Sequence, residues 1–118
     1  MDSTVKQLWV DALLSGEYTQ GRNRLRTPDS WCCLGVLADV YVRCDCDTTV
    51  WELTDDQFNA GYYNLVSGEG VKVYDGYGLP DNVTVWAHLS EGDIETLARM
   101  NDQGYSFEEI VATITDTL

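Results

Sequence analysis

The sequence predicts a small, mostly helical α+β domain with a short β-hairpin or irregular excursion in its middle. Three observations carry that prediction. Apolar residues recur at helical spacing in both flanks of the chain, near Val5–Leu13 and Ile110–Leu118. Helix-start signals stand at Ser90-Glu-Gly-Asp93 and Ser106-Phe-Glu-Glu109. Between the flanks, glycines at 61, 68, 70, 76 and 78 interrupt any helical period. At 118 residues the chain is read as one domain, 1–118, with residues 48–78 as a variable and mobile excursion.

A first helix is expected over about residues 4–14. Val5, Leu8, Trp9, Ala12 and Leu13 form its buried face, Ser3 or Thr4 its cap, and Gly16 its exit. A second helix is expected over about 30–42, opened by Pro28-Asp-Ser30, with Cys33, Leu34, Leu37, Ala38 and Tyr41 facing in. Gly35 inside it costs up to about 1 kcal/mol against alanine, which points to a close helix–helix contact. Arg43–Thr49 reads as a polar turn and Val50–Leu53 as a short strand. Residues 55–61 read as loop or one helical turn, and Val71–Tyr74 alternates weakly. A short helix follows over about 80–88, with Val83, Trp86 and Ala87 inward. A helix after Ser90 carries Ile94, Leu97, Ala98 and Met100 and closes near Asn101–Gly104. The last helix, after Ser106, buries Ile110, Ile114 and Leu118.

Charge narrows the function. Seven Lys+Arg face 20 Asp+Glu, a net charge of −13, which works against direct nucleic-acid binding. The content of 44% hydrophobic residues, with four Trp and seven Tyr, excludes wholesale disorder. No apolar run approaches the roughly 20 residues of a membrane span. The start, Met1-Asp-Ser-Thr-Val-Lys6, lacks a signal-peptide pattern, so a cytoplasmic location is expected. The four cysteines, Cys32, Cys33, Cys44 and Cys46, lack common zinc spacing and are expected as reduced thiols.

Against that acidic background, Arg22, Arg24 and Arg26 lie within five residues, with no acid between Glu17 and Asp29. In an extended segment, period two puts the three guanidiniums on one side and Leu25 on the other. Gly21 permits a tight turn or a close backbone approach. The helix start expected at residues 28–30 would add backbone N–H groups and a positive dipole end, completing an anion cradle. Tyr18 and Trp31 could stack on a base or ribose, and Gln20 could read a polar edge. The candidate ligand-binding residues are therefore Tyr18, Gln20, Gly21, Arg22, Arg24, Arg26 and Trp31. The competing reading is a basic loop paired with the protein's own acids.

Catalysis finds little support. No P-loop, G-x-S-x-G, H-E-x-x-H or G-x-G-x-x-G is present. The one histidine, His88, sits at a helix end, and a Cys32 or Cys33 nucleophile would need a base and a lowered pKa. No catalytic residue, metal ligand or cofactor is assigned.

The run Trp9-Val-Asp-Ala-Leu13, Ser15-Gly16, Tyr18, Gln20-Gly21, Leu25-Arg26, Cys32-Cys-Leu-Gly-Val-Leu37 and Asp39 resembles a family of small uncharacterised phage and prophage proteins. Leu79-Pro80, Val83, Trp86-Ala87, Leu97, Asn101-Asp102, Gly104, Ser106-Phe107, Glu109-Ile110 and Ala112 agree with it. Ala38 departs from it, standing where a further cysteine is often found. The resemblance brings no settled activity, but it implies a setting inside an infected bacterial host. Small phage proteins without enzyme motifs often act against host defence, for instance by sequestering a nucleotide signal. The expected function is thus a counter-defence sponge for a phosphorylated ligand of cyclic-nucleotide or ADP-ribose type. The alternatives are an acidic inhibitor or DNA mimic acting on a host protein and, last, a hydrolase of such a nucleotide. Homo-oligomerisation is left open.

Overall fold

Helix α2 (Cys33–Arg43) is the element against which the other helices are laid. Its residues from Cys33 to Asp39 are all buried, so it is enclosed nearly all round rather than along one stripe. In this computed structural model, residues 1–44, 48–54, 62–66, 72–74 and 79–118 are described. Before α2 comes α1 (Ser3–Leu14). After it come β1 (Val50–Thr54), β2 (Tyr62–Val66), β3 (Lys72–Tyr74), α3 (Asp81–Ala87), α4 (Glu91–Asp102) and α5 (Phe107–Thr117). Helices α1, α3 and α4 pack on α2, and α5 closes the layer against α1 and α4. The mostly helical α+β class is therefore the class observed.

The caps follow from local chemistry. Asp2, not Ser3 or Thr4, caps α1, its Oδ1 accepting the Val5 N–H at 2.9 Å. Ser90 caps α4, and Ser106 with Glu109 forms a reciprocal capping box at α5. Helix α3 ends at His88, which adopts a left-handed conformation with φ 56°. Trp9, Leu37, Leu65, Val83, Leu97, Ile110 and Ile114 are fully buried. Leu8 and Trp86, expected in the core, are not fully buried. Leu8 is 46% exposed, because the α1 stripe turned inward runs through Val5, Trp9 and Leu13. Trp86 is half-buried and meets Tyr41 edge-to-face at 5.0 Å.

The middle excursion is an antiparallel sheet in the order β1-β2-β3 among the described residues. β1 pairs with β2 from Val50↔Val66 to Thr54↔Tyr62. β2 pairs with β3 through Leu65↔Tyr74 and Val66↔Lys72, with an irregularity between Leu65 and Val66. The strand Tyr62–Val66 had no signal in the sequence reading; its Leu65 enters the core. The loop expected at 55–61, the turn residues 45–47 and the glycines at 61, 68, 70, 76 and 78 lie outside the described residues.

Helix α2 begins three residues later than the sequence signal implied. Pro28-Asp-Ser30 forms a turn in which the Thr27 N–H donates to the Ser30 carbonyl at 2.8 Å. The Ser30 hydroxyl bonds Thr27 Oγ1 at 2.7 Å, so it is spent inside the turn and caps nothing. Cys32 takes the cap position instead, its Sγ accepting the Gly35 N–H at 3.3 Å. Gly35 answers a close approach, but not between helices. A Cβ there would stand 1.7 Å from the Leu25 carbonyl oxygen, so the loop backbone lies directly on the helix.

The cysteines divide. Cys32 and Cys33 are buried free thiols. Cys44, at the exposed end of α2, is disulfide-bonded, against the expectation of four reduced thiols; its partner lies outside the described residues. Position separates them: Cys44 stands at the exposed helix end, Cys32 and Cys33 among buried residues.

Candidate functional site: the loop from Tyr18 to Cys32 and the cleft beside it

Residues 18–32 form a loop closed on itself. The Trp31 N–H donates to Thr19 O at 2.8 Å, Gly21 N–H to Trp31 O at 2.7 Å, and Cys32 N–H to Leu25 O at 3.1 Å. Trp31 is thereby bridged to both Gln20 and Arg26. Gly21 is required sterically, since a Cβ would lie 2.2 Å from Ser30 Oγ.

The loop is pinned from inside by Asn101, a fully buried side chain of α4. Its Oδ1 accepts from Cys33 N–H at 3.1 Å and from Gln20 Nε2 at 3.0 Å. Its Nδ2 donates to the Gly21 carbonyl at 2.7 Å. Gln20 completes the clasp by donating to Tyr105 O at 2.6 Å and accepting from Phe107 N–H at 3.1 Å. A buried network with its members satisfied fixes geometry. Gln20 is therefore committed to holding the fold.

Tyr18 and Trp31 are also drawn inward. The Tyr18 hydroxyl donates to Asp39 Oδ2 at 2.6 Å, and Trp51 Nε1 donates to Asp39 Oδ1 at 3.0 Å. Arg43 Nε pairs with Asp39 Oδ2 at 3.0 Å. Burial first, then the hydrogen bond to Asp39, raises the Tyr18 phenol well above its ordinary range. Trp31 meets Tyr18 edge-to-face at 5.0 Å and Trp51 at 5.7 Å. Neither ring is a free stacking platform.

The three arginines do not share a side. Asn23 adopts φ 66°, a left-handed conformation that asparagine tolerates, and it breaks the extended alternation that would have aligned them. The guanidinium of Arg26 lies 3.9 Å from the Tyr63 ring centroid, 4.3 Å from Trp31 and 5.5 Å from Trp51. With the Tyr63 N–H donating to Arg26 O at 2.9 Å, this residue ties the sheet to the loop. Arg22 is exposed and lies over Gly104, just beyond the α4 C-terminus, where the helix dipole favours a cation.

Of the three, Arg24 lines a cleft among the described residues. The cleft is about 340 Å³ and is walled by Asn23, Arg24, Cys32, Leu34, Ala98 and Asp102. It lies beside the first turn of α2, so an arginine and a helix start do come together, but at residues 32–34 rather than 28–30. Asp102 belongs to the site without having been singled out, and its Oδ1 accepts the Asn23 N–H at 3.1 Å. The sequence signal for it was only the Asn101-Asp102-x-Gly104 helix end. Arg24 is itself engaged within the fold, and a guanidinium has five donors to share.

The chain belongs to the family described as a domain of unknown function, DUF8296. Its model matches residues 1–118. No curated protein and no solved structure matches the chain.

Thiol chemistry fits poorly in this DUF8296 chain. Burial pushes the Cys32 thiol up to about 11 and the Cys33 thiol well above its ordinary range, so both stay protonated near neutrality. His88 is exposed at its helix end and is not among the residues that wall the cleft. Among the described residues, no group of three or more His, Cys, Asp or Glu could hold a metal ion. Among the same residues, no helix is long and apolar enough to cross a membrane. Among the described residues the cleft presents one cation, one anion, an amide side chain and apolar walls.

Proposed function

We propose that this DUF8296 chain is a non-enzymatic binding protein that takes a small phosphorylated ligand in the Arg24 cleft. The observation that carries the reading is Arg24 itself, the member of the arginine triplet that lines a cavity, beside the start of α2. A guanidinium fork matches phosphate oxygens, and Leu34 and Ala98 supply apolar wall for a sugar or base. The use that the phage-protein resemblance points to is sequestration of a nucleotide immune signal in the cytoplasm of an infected bacterium.

The test is thermal unfolding against cyclic mononucleotides, cyclic dinucleotides, cyclic ADP-ribose isomers and plain nucleotides. A ligand at 100 times its dissociation constant adds about 2.7 kcal/mol to the folded state. Arg24→Ala abolishes the shift and Arg22→Ala keeps it. A shift unchanged in Arg24→Ala, or a flat panel, overturns the reading. Recovery of intact ligand after incubation separates binding from hydrolysis.

A second reading, an acidic surface that inhibits a host protein, is favoured by the exposed Glu91, Glu95, Glu108, Glu109 and Asp116 on α4 and α5. Partner capture should then weaken with salt and ignore Arg24→Ala.

A further inference from the structure

The charges of the cleft select among phosphorylated ligands. This step rests on the reading that the Arg24 cleft binds phosphate. Among the described lining residues there is one guanidinium, Arg24, and one carboxylate, Asp102. Asp102 is exposed, and its Oδ1 accepts the Asn23 N–H at 3.1 Å, which draws the carboxylate toward the loop. Cys32, its thiol kept protonated by burial, adds no charge. The site is therefore close to neutral, inside a protein of net charge −13.

We infer that the ligand is a phosphodiester monoanion of nucleoside size that also presents a hydroxyl or amino donor to Asp102. A monoanion is matched by Arg24. A phosphate monoester or a pyrophosphate brings further negative charge that no second cation among the described lining residues meets and that Asp102 repels. The overall acidity of the chain adds to that repulsion. A carboxylate is acceptor-only with room for about four hydrogen bonds, so after Asn23 it can still receive a ribose hydroxyl or a base amino group. The cleft volume of about 340 Å³ stands near the bottom of the usual ligand-pocket range, which suits one nucleoside rather than two. Nucleoside 3′,5′-cyclic monophosphates have this charge and size; pyrophosphate-containing ADP-ribose does not.

The experiment titrates the four common 3′,5′-cyclic monophosphates, the corresponding 5′-monophosphates, ADP-ribose and pyrophosphate into three proteins. These are the unaltered chain, Asp102→Asn and Arg24→Ala. Asparagine keeps the oxygen that receives the Asn23 N–H, and circular dichroism checks the fold. A cyclic monophosphate binds the unaltered chain about tenfold or more tightly than its 5′-monophosphate, and pyrophosphate does not bind. Asp102→Asn removes most of that gap by strengthening the dianions about tenfold. Arg24→Ala abolishes binding of all. Monophosphate or pyrophosphate bound as tightly as the cyclic form, or a gap unchanged in Asp102→Asn, overturns this inference alone. Binding that survives Arg24→Ala, or no binding by any probe, overturns the underlying reading and the inference with it.

Discussion

The two faces of one loop behave as different materials. On the inner face Gln20, Gly21, Leu25, Arg26 and Trp31 are committed to neighbours: Asn101, Tyr105, Phe107, the α2 backbone and the aromatic cluster of the sheet. On the outer face Asn23 and Arg24 look onto a cleft with Asp102. The contrast teaches that residue type alone does not mark a binding residue. Three arginines at even spacing have three fates, because one left-handed residue and two distant partners divide them.

The contrast can be broken from the inside. The largest effect is expected from Gly35→Ala, whose Cβ would stand 1.7 Å from Leu25 O. Backbone cannot yield cheaply, so the loop must lift off α2. A loss of about 3 kcal/mol or more by urea unfolding is expected. A loss within about 0.5 kcal/mol would show that the loop does not rest on the helix.

Asn101→Ala comes next. It strands the Cys33 N–H and the Gly21 carbonyl in a buried site and should cost about 3 kcal/mol. Hydrogen exchange should quicken at Gly21 and Cys33 before it quickens in α5. Equal quickening everywhere would deny that Asn101 pins this loop in particular.

Alkali probes the buried acids. Cys32, ordinarily near 9.0, is pushed up to about 11, and Cys33 and Tyr18 are also raised. Above pH 9 the unfolded chain loses these protons while the folded one keeps them. The unfolded state then binds fewer protons, so stability falls as pH rises. Roughly 2 kcal/mol should be lost between pH 9 and 11 on account of Cys32. Cys32→Ala should make that slope shallower, Cys33 and Tyr18 keeping the rest, and an unchanged slope would count against a buried Cys32 thiol.

Arg26→Met sharpens the comparison at the smallest scale. It keeps an unbranched apolar stem, removes the cation among Trp31, Trp51 and Tyr63, and should cost about 1–2 kcal/mol with a changed near-ultraviolet dichroism. Phosphate-ligand binding should be untouched. Arg24→Ala should show the reverse pattern, with little loss of stability and loss of ligand.

Much of the frame was legible in the sequence because it is local. Helices α1, α4 and α5 follow periodicity and caps that act within three or four residues, as at Ser90 and the Ser106–Glu109 box, and α3 follows its proline start. The start of α2 was misplaced because Ser30 had a competing local partner in Thr27, and strand β2 was missed because its pairing is not local. The chemistry of the site was half legible: an arginine beside a helix start was foreseen, the aspartate was not.

The helix inventory, the acidity, the density of arginines and the glycines on which close contacts depend are written along the chain. Which arginine lines the cleft depends on packing between distant elements. Asn101 reaches Gly21 across 80 positions, and Tyr63 meets Arg26 from another element. The direction of a loop side chain depends on such long-range partners and on single residues such as Asn23 at φ 66°. No spacing rule along the chain carries that information, because period two holds only while the backbone stays extended.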